Sequence, residues 1–385
     1  MSLCFFIKDH QDLDHFVPII NFLKDNNKIL VNLENDELIS DNRINFINKF
    51  VEINKINQDN KYIQYFKNQI FKYDFLTKLI FFIIHIFSKI KIFNFFFKNH
   101  FLIKKKIKAI IYDHRPPQNC SYIFLSKLFK IKILAIPHGY HIFTERIDFA
   151  ETQKNRNIFD YYTVQTDFQK KTLESLGIKE KKLEVLGSPR FEKKWINTLK
   201  DIYVSKNKLF KNENPVLSIF LGHWKYGIDR IKTMNLLKDI LSLDKYNILL
   251  NLHTRGTSEL EANEINELKK KKNLIINNNK YHATQVIDCS DVVIGVGTSV
   301  LLECITKGKC FFYLGYLQKY KTIFNELNNS QLINSKDDIL NKLKNLNIQK
   351  NNFLDCKSDF YSKFVKNKNT SLQNLHITFF NKIIY

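Results

Sequence analysis

Short apolar runs alternate with amphipathic stretches along most of the chain, and the alternation repeats in two blocks. SLCFFI (2–7) predicts a strand, DLDHFVPIINFLKDNN (12–27) a helix with a carboxylate-rich start, and KILVNL (28–33) a second strand. Residues 41–105 read as helical and irregular. The alternation then resumes with KAIIYDH (108–114), a strand ending in polar residues. NCSYIFLSKLFK (119–130) follows as a helix, and IKILAIPHG (131–139) is a strand that runs into a histidine. FDYYTVQT (159–166), the helix DFQKKTLESLG and the strand KLEVLGSPRF (182–191) close the first block.

Residues 193–215 loosen the pattern and read as the connection between domains. The second block opens with PVLSIFLG (215–222), the helix DRIKTMNLLKDILSL and the strand NILLNLHTRG (247–256). It continues through SELEANEINELKKKK, NLIINN, HATQVIDCS, DVVIGVG (291–297), TSVLLECITKG and CFFYLG (310–315). Strands that alternate with helices throughout imply parallel sheets in doubly wound α/β domains. At 385 residues the chain exceeds the roughly 250–300 at which one core stops growing. The expectation is therefore two Rossmann-like domains facing across a cleft, spanning 1–205 and 206–385. The first carries a helical insertion rich in aromatic and basic residues.

Composition narrows the function classes. The formal net charge of +22 invites an anionic partner. The basic residues are 53 lysines and only seven arginines, among abundant Asn, Ile and Phe, the look of an A/T-rich coding bias. Base-edge readers rely on arginine, and no zinc-finger or RNP-like spacing is visible, so nucleic acid is not the expected partner. Where arginine is this scarce, one inside a motif points to a use for its bidentate fork; Arg115, Arg146, Arg190 and Arg255 all lie beside such motifs. The six cysteines show no CxxC, and Cys304 and Cys310 read as small buried hydrophobes in a reduced, cytoplasmic compartment. The N-terminus has acidic residues where a signal peptide needs its apolar run.

Residues 71–103 mix Phe and Ile with lysines at 72, 78, 89, 91 and 98, and the longest uncharged run, 79–88, is too short to span a bilayer. This segment fits two readings, a helix lying on an anionic membrane surface or a helical pair packed on the core.

The polar motifs fall at predicted strand ends, where ligands bind in such sheets. In 290–315 a strand delivers Gly295, and Gly297-Thr298-Ser299 opens a helix, an arrangement suited to a phosphate. Glu303, one turn further on, can accept hydrogen bonds from ribose hydroxyls. The plainer alternative is a capping hydroxyl and a solvated carboxylate. This segment resembles the C-terminal nucleotide-binding segment of GT-B glycosyltransferases, a likeness of pattern over 215–315 supported more weakly over 108–191. NLHTRG resembles the His-Pro segment of transferases that use CMP-sugars or CDP-glycerol, with Thr254 in place of the proline. The resemblance implies that His253 and Arg255 hold the donor. LGSPRF resembles a turn of GT-B transferases and UDP-GlcNAc 2-epimerases, with Arg190 facing the cleft. Pro137-His138-Gly139 resembles the His-Gly loop of CDP-glycerol-type glycerophosphotransferases and capsule-polysaccharide transferases, on the acceptor side.

An imidazole titrates in the range a base needs to take a proton from an acceptor hydroxyl, so His138 is the candidate base. Asp113 and Asp9, also at strand ends, are the alternatives. Glu145, Arg146 and Asp148 could orient the base or contact the acceptor. Asp12 and Asp14 could supply a base or acceptor contacts in the same cleft, and more simply read as the start of a helix. Gly139 is expected to make room and Pro137 to stiffen the turn. Gly222 and His223, with Trp224 and Lys225, follow the first strand of the second block, where donor-phosphate loops lie in GT-B enzymes. No metal is expected, because a helix N-terminus and basic side chains can stabilise a leaving phosphate, and no cofactor motif is present.

The resulting expectation is an inverting transferase of surface-polysaccharide assembly. It would take a nucleotide-sugar or CDP-alditol donor, CMP or CDP ahead of UDP, and a lipid-linked or glycan acceptor at the inner membrane face. The alternatives are a non-hydrolysing sugar-nucleotide epimerase, or a non-catalytic scaffold that binds no nucleotide tightly.

Overall fold

The structure, a computed structural model, describes residues 2–55, 79, 101–114, 121–144, 158–203, 209–252, 260–278, 280–346, 354–355, 357–365 and 371–384. The chain divides into two compact units. The first comprises Met1–Tyr140, Asp148–Arg190 and Asn367–Tyr385; the second comprises His141–Ile147 and Phe191–Lys366.

In the first unit, β1 (Ser2–Ile7), β2 (Lys28–Leu33), β3 (Glu52–Lys55), β4 (Ile107–Asp113), β5 (Lys132–Ile136), β6 (Tyr161–Val164) and β7 (Leu183–Val185) form a parallel sheet in the order β3-β2-β1-β4-β5-β6-β7. β1 is buried along its whole length, as a strand covered on both faces must be. Helix α1 (His10–Leu23) starts at a capping box. The Asp9 carboxylate accepts from the Gln11 and Asp12 amides, and Asp12 accepts from the backbone of Asp9. The strand order reverses direction between β1 and β4, which makes their carboxyl ends the topological switch point of this unit.

The second unit repeats the plan. β8 (Val216–Leu221), β9 (Asn247–Asn251), β10 (Leu274–Asn277), β11 (Val292–Val296), β12 (Cys310–Leu314) and β13 (Leu332–Ile333) are ordered β10-β9-β8-β11-β12-β13. Its switch point lies between β8 and β11. Leu217, Ile219, Ile248, Leu250, Val292 and Ile294 form the centre of its core. Cys304 and Cys310 are buried free thiols, as the sequence implied.

Two features differ from the sequence expectation. The first unit ends at Arg190, and residues 193–202 are a helix of the second unit, with Trp195, Ile196 and Leu199 buried. The terminal helix Leu372–Ile384 belongs to the first unit, packed on α1. Among the described residues, no helix is long and apolar enough to cross a membrane. Apart from Leu79 and residues 101–103, the 71–103 segment lies outside the described residues.

Two buried histidines make the first unit acid-sensitive. Burial, reinforced by Arg190, holds His15 down to about 3, and burial holds His376 down to about 4. The unfolded chain takes up these protons near the ordinary value of about 6.5. Between about pH 6.5 and 4 the unfolded state therefore binds more protons, and stability falls as pH falls, by on the order of a few kcal/mol. His376→Gln should flatten the dependence of the urea midpoint on pH in this window; an unchanged slope would contradict it.

Candidate functional site

The switch point of the first unit gathers side chains from several elements. Asp9 and Asp12 lie just beyond β1, Asp113 is the last residue of β4, and His138 stands two residues past β5. His138 Nδ1 hydrogen-bonds Asp12 Oδ1 at 3.2 Å and lies 3.2 Å from Asp113 Oδ2. Asp12 is 1% exposed, and its other oxygen accepts from the backbone amides of Lys8 and Asp9 at 2.9 and 3.3 Å. Burial pushes the Asp12 carboxyl up, with Asp113 and Asp9 adding to the rise and the His138 hydrogen bond opposing it. Two carboxylates thus converge on one ring nitrogen. With a carboxylate oxygen on each side, Nδ1 is the nitrogen placed to carry a proton, and in a neutral ring that leaves the lone pair on Nε2. His138 keeps 15% of its side chain exposed.

The surroundings are polar and ordered. His114 Nε2 lies 3.0 Å from the Thr163 carbonyl, and its ring meets Tyr162 edge-on. Buried His15 pairs through Nδ1 with Gln165 at 3.4 Å. Arg190, in the turn after β7, places Nη2 3.1 Å from Asp14. Asp9, Asp12 and His138 also form a grouping with ligand atoms within 4.8 Å of one another, close enough to hold a divalent cation.

The three residues expected as bases, His138, Asp113 and Asp9, come together in this unit. Asp12 joins them, a residue the sequence offered both as a cleft contact and, more simply, as the start of the helix. Its signal was the Asp9-x-x-Asp12 spacing directly after β1, which caps α1 and turns a second carboxylate to the switch point. Glu145, Arg146, His253 and Arg255 lie outside the described residues.

In the second unit two glycine turns meet at the switch point. Gly222 follows β8 and donates its amide to the Val296 carbonyl at 3.0 Å. Gly297 follows β11 with φ +59, a conformation that favours glycine. Thr298 Oγ1 accepts from the Val300 amide at 3.3 Å, a local cap, and Ser299 sits half-buried beside it. His223 caps the short turn Trp224–Tyr226 through its Nδ1.

Glu303 departs from its expected placement. It is 3% exposed and accepts from Thr284 Oγ1 at 2.6 Å, while Lys307 Nζ, equally buried, lies 3.1 Å away. Lys307 also bonds Asp288 at 2.9 Å. The carboxylate expected to meet ribose is instead turned inward, because its helical phase places it over Lys307 one turn later.

Gly139 also differs from expectation. A Cβ built there meets nothing within 4 Å, so no crowding requires glycine. A Cβ on Gly222 would lie 2.7 Å from the Gly297 carbonyl and 2.8 Å from that of Val296. Gly222→Ala should therefore cost about 1–3 kcal/mol by forcing the two turns apart. Gly139→Ala should shift stability by less than about 1 kcal/mol. Equal melting temperatures for the two variants would contradict this account.

No protein-family model and no curated protein matches the chain. Solved structures do. UDP-GlcNAc 2-epimerase from Neisseria meningitidis, bound to UDP-GlcNAc, aligns with a TM-score of 0.59 at 13% identity over 100% of both chains. The Methanocaldococcus jannaschii UDP-GlcNAc 2-epimerase, in complex with UDP-GlcNAc and UDP, aligns with a TM-score of 0.59 at 15% identity over 100% of both. The chain has the GT-B fold. The wall teichoic acid polymerase TagF, as a histidine-to-asparagine variant with CDPG, aligns with a TM-score of 0.54 at 14% identity, over 99% of this chain and 88% of that one. At these identities the likeness is one of GT-B architecture, which these epimerases and the polymerase share.

Proposed function

We propose that this GT-B chain is an enzyme acting on a nucleotide-activated sugar or alditol, with His138 as the base of an inverting transfer. The observation that carries this reading is the His138 imidazole, whose Nδ1 stands 3.2 Å from both Asp12 and Asp113. A carboxylate on Nδ1 fixes the tautomer and stabilises the imidazolium formed when Nε2 takes a proton. The acceptor hydroxyl gives its proton to Nε2, and its oxygen forms a bond to the anomeric carbon or phosphorus of the donor. The nucleotide leaves with the electrons of the broken bond.

Support for a nucleotide donor comes from the second unit and from the structures similar to this chain. Gly222, Gly297, Thr298 and Ser299 surround a switch point, the place where phosphates meet backbone amides in doubly wound sheets. His223 flanks that turn, Glu303 braces the helix behind it, and His253 and Arg255 remain donor ligands in this proposal. Arg190, Glu145 and Arg146 serve the acceptor, a lipid-linked or growing glycan of surface polysaccharide. The similar structures hold UDP-GlcNAc, UDP or CDPG. The proposed reaction needs neither metal nor cofactor, and the segment 71–103 is the proposed contact with an anionic membrane.

A second reading, sugar-nucleotide epimerisation, is favoured by one observation. Three carboxylates, Asp9, Asp12 and Asp113, surround the imidazole, and epimerisation needs acid and base groups around the sugar ring. The protein would be incubated with CMP-sugars, CDP-glycerol and UDP-GlcNAc, with and without glycan acceptors. Nucleotide release and deuterium uptake from D2O at sugar C2 would be followed. Acceptor-dependent release supports transfer, and acceptor-free exchange on UDP-GlcNAc supports epimerisation. Absence of both, together with no thermal stabilisation by any nucleotide, would leave a scaffold and defeat the proposal.

A further inference from the structure

We infer that Arg43 is a positioning residue for the His138 site, acting through Asp14 and helix α1; the inference rests on the reading of that site given above. Arg43 belongs to the short helix α2 (Asn42–Ile47) and is 4% exposed. Its Nε and Nη2 grip Asp41, the N-cap of α2, at 2.9 and 2.7 Å. Its Nη1 hydrogen-bonds Asp14 Oδ1. The other oxygen of Asp14 meets Arg190 Nη2 at 3.1 Å. Asp41 Oδ2 also lies 3.2 Å from His10 Nδ1. A run of charges, Asp41–Arg43–Asp14–Arg190, therefore ties the first turns of α1 to α2 on one side and to the turn after β7 on the other.

The tie acts where α1 is least able to hold itself. Pro18 lies inside the helix and has no amide to donate to the Asp14 carbonyl. Asp14 is two residues from Asp12, so any slip of this turn moves the carboxylate that meets His138. The bidentate geometry at Asp41 needs a planar fork that lysine does not supply. Among 60 basic residues only seven are arginine, and two of them converge on this one aspartate. Burial makes the arrangement stiff as well as strong: the Arg43 and Asp41 side chains are 4% and 8% exposed.

The charges around His138 are Asp9, Asp12, Asp14 and His15 from α1, Asp113 and His114 from the end of β4, and Arg190 from the turn after β7. Loosening Asp14 alters the first and last of these together. The test uses Arg43→Lys in the full chain, with three readouts: the His138 Nδ1 proton signal by NMR, kcat for acceptor-dependent release from UDP-GlcNAc or CDP-glycerol, and Kd for UDP and CDP. The expected result is a displaced Nδ1 proton signal and kcat reduced by about ten- to a hundredfold, with both Kd values unchanged. A melting temperature that falls while the proton signal and kcat match the parent would overturn the inference and leave Arg43 a purely structural tie. If Arg43→Lys fails to fold, Asp14→Asn is measured in its place against the same outcomes. Failure of the transfer reading is separable: a parent with no turnover on either donor defeats that reading, while the His138 proton signal still decides the role of Arg43.

Discussion

Replacing His138 by alanine should lower turnover by about 10²–10⁴-fold and leave the nucleotide Kd of the second unit unchanged. The expectation follows from which unit holds which group. His138 and the carboxylates on its Nδ1 belong to the first unit, whereas the glycine turns proposed for the phosphates belong to the second. Asp113→Asn keeps a carbonyl oxygen near Nδ1 but removes the charge that stabilises an imidazolium, so it should lose turnover with little change in fold. Asp12→Asn should lose turnover as well, because a carboxamide cannot accept both from the Lys8 and Asp9 amides and from His138 Nδ1. Steady-state kinetics paired with calorimetric nucleotide binding checks this. Near-full turnover in His138→Ala would mean that the base lies elsewhere, with Asp113 and Asp9 next in line.

Lys307→Met should destabilise the second unit by about 3–5 kcal/mol, the usual cost of removing one partner from a buried ion pair. The Lys307 and Glu303 side chains are each 3% exposed, and the lysine also binds Asp288 and the Thr284 carbonyl. Losing the ammonium strands the Glu303 carboxylate in the interior, with the Thr284 hydroxyl as its remaining partner among the described residues. Converting both partners, as Glu303→Leu with Lys307→Met, should recover much of the loss, because no charge is then stranded in the interior and the partly exposed Asp288 keeps its access to water. Urea unfolding of the single and double variants measures the difference. A double variant less stable than the sum of the singles would contradict this account of the pair.

The parts of the fold legible in the sequence were those set by local pattern. SLCFFI, KILVNL and KAIIYDH are continuous apolar runs, and each became a fully or almost fully buried strand. The polar residues beyond strand ends, Asp9 after SLCFFI, Asp113 closing KAIIYD and His138 after KILAI, were legible for the same reason, since strand ends in a parallel sheet share one edge. Trp195, Ile196 and Leu199 form an apolar stripe at helical spacing, yet the lysines flanking it at 193, 194 and 200 made the segment look like a connector. The boundary after Arg190 depends on what that stripe packs against, which is a tertiary fact. The return of Leu372–Ile384 to the first unit is equally non-local, because nothing in its amphipathic pattern says which core it will cover. Glu303 was legible as a residue but not in direction; the (i, i+4) spacing to Lys307 was the sign that it turns inward. Asp12 was legible as a cleft contact but ranked behind the helix start, because a carboxylate there already has one sufficient explanation.

The central claim is that His138 is a neutral imidazole held through Nδ1 by two carboxylates, with Nε2 as the basic atom. The ¹⁵N chemical shifts of its ring nitrogens at neutral pH measure this directly. The account predicts a protonated Nδ1 and an unprotonated Nε2, with the Nδ1 proton signal displaced in Asp113→Asn. A proton on Nε2 with a bare Nδ1, unaffected by Asp113→Asn, would contradict it.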